Sequence, residues 1–185
     1  MKRCYRMVLC FLLLACVSCA KPKPTPMPPV EKTPTYTQNF IKIHFKADSQ
    51  VNLYDGGSHA LHVCVYELSE PNGFNLLTED QVGIAKLLSC DRPEIVTTIP
   101  GAANAKKFII QPGDDRSSEL DRAEGAKYIG IVAGYYTLQR ANAVQLYTIP
   151  TVEEKKDGLT VITQKPFDIE VYLGPQSLQQ LGGKP

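Results

Sequence analysis

The feature that most limits the fold of this chain is an alternation of apolar and polar residues in short segments. In residues 40–46, the apolar Ile41, Ile43 and Phe45 occupy every second position. Successive side chains of a β-strand point to opposite faces, so this pattern predicts a half-buried antiparallel strand. Turn residues such as Pro112-Gly113 separate such segments. By the same reasoning, further strands are predicted at residues 61–68, 107–111, 144–149, 159–163 and 167–173.

Two segments depart from this alternation. Residues 126–138 are almost wholly apolar, which predicts a central strand buried on both faces. Its Gly130 and Gly134 are expected to permit the close approach of another backbone. Residues 78–81 read as a capping box, in which Thr78 caps a helix and Gln81 bonds back to it. A helical apolar stripe then runs up to Cys90. The chain is therefore predicted to be mainly β, a two-sheet β-sandwich with an inserted helix.

The first residues have the features of an exported lipoprotein. Basic residues precede the apolar run 7–17, which is shorter than the roughly 20 residues that span a bilayer and is typical of a signal peptide. The run ends at cysteines instead of a small-x-small cleavage site. Cys19 gives a signal of usual length and is the predicted lipidation site, with Cys16 as the alternative. Neither is followed by Asp, so we expect an outer-membrane protein that faces the periplasm.

The next segment is rich in proline. Alternating prolines at residues 22–29 favour extended polyproline II, and about 18 such residues could hold a domain on the order of 50 Å from the lipid. A proline-rich ligand for a peptide-binding groove is the alternative. The predicted organisation is a signal peptide at 1–18, a tether at 19–38 and one β-sandwich domain at 39–185.

Cysteine usage separates the signal from the domain. Four of the six cysteines lie in the first 19 residues, which leaves Cys64 and Cys90. In an oxidising compartment this pair is a candidate disulfide, with two separate buried thiols as the alternative.

The sequence lacks the motifs of common enzymes. There is no Gly-x-Ser-x-Gly elbow, no phosphate-binding loop and no dinucleotide fingerprint. His44, His59 and His62 do not have the spacing of a metal site, and Asp114-Asp115 follow a turn and are expected to be solvated. Net charge is +1 without a basic cluster. We therefore expect no catalytic residue, no metal, no cofactor, no small-molecule substrate and no nucleic-acid partner.

Several stretches in sequence order resemble the TssJ family of type VI secretion lipoproteins. They are residues 41–47, the loop 48–60 with its Val-Asn-Leu-Tyr, residues 62–68, Phe-Ile-Ile-Gln-Pro-Gly at 108–113, and residues 126–135. The resemblance implies a transthyretin-like sandwich within a membrane complex. It also implies that the chain links the outer membrane to the periplasmic domain of the inner-membrane protein TssM, which works with TssL. Two departures are the lack of Trp after the central strand and the continuation past Pro150, with two further strands.

The resemblance places partner binding in the loop between the first two strands. The residues expected to bind are Gln50, Val51, Asn52, Leu53, Tyr54 and Asp55. Exposed aromatic and apolar side chains commonly dominate binding energy at protein interfaces. The alternative is that Val51 and Leu53 fold back and cap the edge of the sandwich.

Two other functions have different requirements. A carrier of small ligands would need an apolar pocket between the sheets. A periplasmic enzyme would need catalytic residues, which the sequence does not offer.

Overall fold

The computed structural model describes residues 28–156 and 159–180, and this part of the chain contains eleven strands and four short helices. The strands are β1 Val30–Glu31, β2 Thr37–Ala47, β3 Leu61–Leu68, β4 Ala102–Ile110, β5 Asp115–Arg122, β6 Tyr128–Ala133, β7 Val144–Thr148, β8 Thr151–Lys156, β9 Leu159–Gln164, β10 Phe167–Leu173 and β11 Leu178–Gln180. The helices are α1 Asn72–Leu77, α2 Gln81–Leu87, α3 Pro93–Val96 and α4 Arg140–Ala143.

Two four-stranded sheets form the body of the domain. One has the strand order β11-β10-β2-β5 and the other β4-β3-β6-β7. Within the first sheet, β2 pairs parallel with β10 and antiparallel with β5. Buried apolar side chains from both sheets form one core, which includes Ile43 of β2, Val171 of β10, Val63 of β3 and Ile131 of β6. The predicted mainly-β sandwich is confirmed, and with it the alternation that predicted β2 and β10.

The second sheet is covered on its other face by helices. In β3, Val63 and Val65 face the sandwich core, whereas Cys64 and Tyr66 belong to a second core with residues of the helical segment. The Tyr66 hydroxyl donates to the Leu87 carbonyl oxygen at 2.5 Å, which ties β3 to α2. This second apolar layer explains why β3 and β6 are buried on both faces.

A disulfide joins the helical layer to the sheet. It connects Cys64 of β3 to Cys90, which follows α2, with the Cα atoms 6.0 Å apart and 26 residues of sequence separation. Both half-cystines are buried in the second core.

The segment predicted as one long strand at 126–138 is a strand only at Tyr128–Ala133. Beyond it the chain turns, and the Gly134 amide donates to the His62 carbonyl oxygen at 2.8 Å. Gly130 does permit a close approach, but the neighbour is an aromatic side chain and not a backbone. A Cβ at Gly130 would lie 2.7 Å from the Phe74 ring.

The predicted start of the inserted helix is wrong by two residues. The N-cap of α2 is Asp80, whose side chain accepts a hydrogen bond from the Gly83 amide at 2.7 Å. Thr78 instead ends α1, and its hydroxyl donates to the Asn75 carbonyl oxygen at 2.7 Å. Both residue types are good caps, and the presence of α1 immediately before decided which end Thr78 serves.

Strands β5 and β8 were not predicted, because their sequences are mostly polar. Backbone pairing with β2 and β9 defines them instead. Asp115 is therefore not in a turn but begins β5, where a carboxylate oxygen lies 2.6 Å from His44 Nε2.

A third, smaller sheet has the order β1-β9-β8 and is called the ribbon below. In it, Val30–Glu31 pairs parallel with Val161 and Ile162 of β9. The tether was predicted to extend to residue 38, but its last part is joined to the domain. Val30–Glu31 directly follow the consecutive prolines Pro28-Pro29, and their backbone is free to pair with β9.

Candidate functional site

The loop between β2 and β3, residues 48–60, is held in one conformation by hydrogen bonds. At its start, a carboxylate oxygen of Asp48 accepts from the Gln50 amide at 2.8 Å, and the other accepts from the Tyr172 hydroxyl at 2.5 Å. The Tyr172 hydrogen bond, followed by that of the Gln50 amide, lowers the pKa of Asp48. At its end, the His59 amide donates to the Val51 carbonyl oxygen at 3.1 Å. These hydrogen bonds fix the conformation of the loop, so the surface that it presents is preformed.

The first residues of the loop are buried. Val51 is fully buried within the sandwich core, so its side chain cannot contact a partner, and the alternative of an edge-capping residue is correct for it. Asn52 is also buried and adopts a positive φ of 50°. Its side-chain oxygen accepts from the Tyr136 amide at 2.9 Å, which joins the loop to the segment after β6. Both residues therefore position the loop.

The tip of the loop presents an aromatic stack. The Tyr54 ring lies between His59, at 3.7 Å between ring centroids, and Tyr136, at 4.5 Å, and both pairs are nearly parallel. A tight turn of backbone hydrogen bonds between Tyr54 and Gly57 holds the first ring. Tyr136 is 74% exposed, so one face of the stack is open to solvent.

A groove of about 420 Å³ lies beside this stack. Leu53 and Tyr54 form one wall, Tyr136 and Gln139 another, and Pro175 closes the end. The Leu53 amide donates to the Pro175 carbonyl oxygen at 2.8 Å, and this bond holds the wall formed by Leu53 and Tyr54 against the closed end of the groove. We call these residues, with Gln50, Asp55 and His59, the loop surface.

The sequence did not predict the contribution of Tyr136 and Gln139 to this surface. They lie more than 75 residues from the loop along the chain, and residues 135–138 were predicted as part of a strand. The adjacent pair Tyr135-Tyr136 was the available signal: Tyr135 is buried, and its neighbour is left exposed.

The chemistry of the loop surface suits binding. Its members are two tyrosines, an imidazole, an aliphatic side chain, a proline, two side-chain amides and the single carboxylate of Asp55. The three histidines are apart: His44 contacts Asp115, His59 stacks on Tyr54, and His62 lies on β3. Among the residues described, no three metal-ligating side chains lie together.

The space between the two sheets is occupied by side chains. Phe45 and Phe108, with ring centroids 5.1 Å apart, fill it together with aliphatic residues from both sheets. This packing does not favour a carrier with a ligand between the sheets.

The predicted lipidation sites, Cys19 and Cys16, lie outside the described residues. Within the described part, none of the helices has the length and apolar character needed to cross a bilayer.

Fold and site together define a small β-sandwich with a helical layer and a preformed loop surface. A family described as type VI secretion lipoprotein (VasD, EvfM, TssJ) matches residues 39–171. The chain belongs to this family of type VI secretion lipoproteins.

Solved structures share the fold. The lipoprotein TssJ1 from Pseudomonas aeruginosa is similar with a TM-score of 0.59 and 21% identity, covering 82% of this chain and 99% of that chain. Lip from Serratia marcescens, a membrane-bound component of the type VI secretion system, gives 0.57 and 18%, covering 77% and 96%. A chain of a structure described as the TssM C-terminal domain from EAEC gives 0.55 and 14%, covering 77% and 98%. No curated protein matches the sequence.

Proposed function

We propose that this lipoprotein is anchored in the outer membrane by acyl chains on its mature N-terminus and faces the periplasm. There it binds the periplasmic domain of a TssM-type inner-membrane protein, in a complex with a TssL-type protein, and so joins the two membranes mechanically. It acts as a structural component and not as an enzyme. Membership of the type VI secretion lipoprotein family supports the setting.

The observation that carries the binding part of the proposal is the preformed aromatic stack of Tyr54, His59 and Tyr136. Ordering flexible side chains on association costs roughly 0.5–1.5 kcal/mol each. Here the rings already lie against one another, and buried Asn52 holds the two segments that carry them. A rigid aromatic patch beside a groove is what a protein interface needs for its central contacts.

The anchoring part rests on the sequence. A single acyl chain gives marginal and reversible membrane binding, and stable anchoring requires more than one lipid signal. The cysteine of a bacterial lipoprotein carries three acyl chains, so the mature protein should stay on the membrane. Metabolic labelling with a fatty acid should therefore mark the wild-type protein, and Cys19→Ala should abolish the label. If Cys16→Ala abolishes it and Cys19→Ala does not, the alternative cysteine is the anchor. If the wild-type protein takes up no fatty-acid label, neither cysteine is acylated, and the proposed lipid anchor is contradicted.

A pull-down from solubilised membranes tests the partner. Tyr54→Asp and Leu53→Asp should each reduce recovery of the TssM-type protein at least tenfold, because truncating a central contact costs about 2 kcal/mol or more. Unchanged recovery with both variants would refute the loop surface as the interface.

A matched control is Val82→Asp. Val82 is 81% exposed on the first turn of α2, where an acidic residue is favourable, so this variant adds the same charge to an exposed apolar site without disturbing the fold. It should recover as much partner as wild type. Circular dichroism should show the same melting curve for all variants before any loss is assigned to the interface.

A further inference from the structure

Arg122, at the end of β5, is an unusually buried cation. It is only 5% exposed, and its guanidinium lies 4.1 Å from the centre of the Phe40 ring. One terminal nitrogen donates to the Gln164 side-chain oxygen at 2.8 Å. The other donates to the Thr35 carbonyl oxygen at 2.6 Å and to the Thr37 hydroxyl at 3.0 Å. All three acceptors are neutral, whereas buried arginines are normally paired with an anion.

The Nε–H donor of this guanidinium has no acceptor among the residues described. This nitrogen, Arg122 Nε, is buried. A buried group without a partner costs about 1–3 kcal/mol, and more when it is charged.

The one acid that acts on Arg122 is already engaged elsewhere. Glu67 is buried, and its carboxylate accepts from the Asn104 side chain at 3.0 Å and from the Ala123 amide. It acts on Arg122 through space and without a direct hydrogen bond, which opposes the lowering of the Arg122 pKa by burial. Burial also raises the pKa of Glu67 itself. The compensation of the Arg122 charge is therefore incomplete.

A pocket of about 300 Å³ adjoins Arg122. One wall is the segment 31–35 at the start of the described chain, and the other is β9 with Thr163 and Gln164. Lys32 lies at its rim. The Glu31 carboxylate, also at the rim, is held 2.6 Å from Lys127 Nζ, so its charge is paired. Positively charged and threonine side chains thus line one cavity, together with apolar Pro34 and Ile162.

We infer that this pocket is a binding site for a small organic oxyanion, either a carboxylate or a phosphate ester. Its negative oxygen would lie toward Arg122 and accept from threonine hydroxyls, and Lys32 would attract it at the rim. The volume equals roughly ten waters at about 30 Å³ each, so it admits a molecule of about that many non-hydrogen atoms. The inference goes beyond the docking function and does not depend on it.

Occupancy of the site would act on the chain that leads to the membrane. The ligand would contact both segment 31–35 and β9, and would therefore stabilise the pairing of β1 with β9. A ligand that binds only the form in which β1 is paired with β9 raises the stability of that form by linkage.

Isothermal titration calorimetry on the full-length lipoprotein in detergent, at constant ionic strength, tests the site. The probes are glycerol phosphate for the phosphate esters and acetylglycine for the carboxylates. We expect saturable binding of one probe and a rise in melting temperature. Whichever probe binds identifies the class of ligand. Absence of heat and of a melting shift with both probes would overturn the inference.

Variants connect binding to the pocket. Arg122→Gln should weaken the affinity at least tenfold, and Lys32→Ala about two- to threefold, because a charge-assisted hydrogen bond is stronger than attraction at an exposed site. Lys155→Ala on β8, outside the pocket, is the charge-matched control and should leave the affinity unchanged; an equal loss there would show non-specific attraction and overturn the inference. If Arg122→Gln does not fold, Thr163→Val decides: weaker binding supports the site, and unchanged binding overturns it.

Discussion

Reduction of the Cys64–Cys90 disulfide should lower the stability of the domain by about 3.5 kcal/mol. The bond closes a loop of 26 residues. In the chain-entropy treatment, such a loop restricts the unfolded chain by roughly 12 cal/mol/K, which is about 3.5 kcal/mol at 25 °C. For a domain of this size, 1 kcal/mol shifts the melting temperature by about 2–4 °C, so the reduced protein should melt about 7–14 °C lower.

The assay is thermal unfolding followed by circular dichroism, with and without a thiol reductant. Hydrogen exchange should show the loss of protection first in α2, because the bond pins this helical layer to β3. Cys64→Ala/Cys90→Ala is the control, since its melting curve should not respond to reductant. Oxidised and reduced wild type that melt within about 2 °C of each other would refute the reasoning.

Three further predictions concern single contacts. Asp80→Ala should destabilise the domain by about 1 kcal/mol in urea unfolding through loss of the α2 cap, whereas the neighbouring Glu79→Ala should not; equal effects would contradict the assigned cap. Gly130→Ala should cost about 1–3 kcal/mol, since the added Cβ would lie 2.7 Å from the Phe74 ring, and the smaller side chain of Phe74→Leu in the double variant should return part of it; additivity of the two costs would refute this contact. Tyr172→Phe should destabilise at pH 7 and progressively less as the pH falls below 4. The Tyr172 hydroxyl lowers the pKa of Asp48 from its ordinary 3.8, and stability from a depressed carboxyl pKa is lost as the group protonates; a pH-independent difference would show that this linkage is absent.

The amphipathic strands were predictable because one face of each is buried. In β2 and β10, period-two burial follows directly from the alternation of side chains, and a one-residue slip would expose every apolar residue. Tyr128–Ala133 was predictable as a central strand for a different reason: both of its faces are buried, so its residues are apolar without alternation. Its end was not, because the residues beyond it are also largely apolar, whereas the chain turns there, with the Tyr135 amide donating to the Ala133 carbonyl oxygen at 3.0 Å.

Strands at the edges were less predictable. β5 is polar and at an edge of its sheet, so its pairing with β2 decides its conformation, and little in its own residues does. β1 at the end of the tether is a strand only because β9 lies beside it. The capping error at Thr78 has a similar origin, since two adjacent helix ends compete for the same residue types.

Only some members of the loop surface could be predicted from the sequence. The aromatic and apolar character of Leu53 and Tyr54 is visible in the sequence, but whether an apolar loop residue faces solvent depends on what packs beside it. Val51 lies in the core because the open end of the sandwich needs to be filled there. Tyr136 joins the surface because the Asn52 side chain fixes the segment that carries it.

By itself, the sequence determined the fold class, the strands with one buried face and the family, because alternation and composition act locally and each strand reports its own environment. The tertiary structure alone decided which residues of the loop are exposed, which distant tyrosine completes the stack, and that a buried arginine adjoins a pocket beside the ribbon. These are properties of juxtaposition: they depend on which side chains meet across sheets and loops, and no local pattern encodes the distance between residues far apart in the chain.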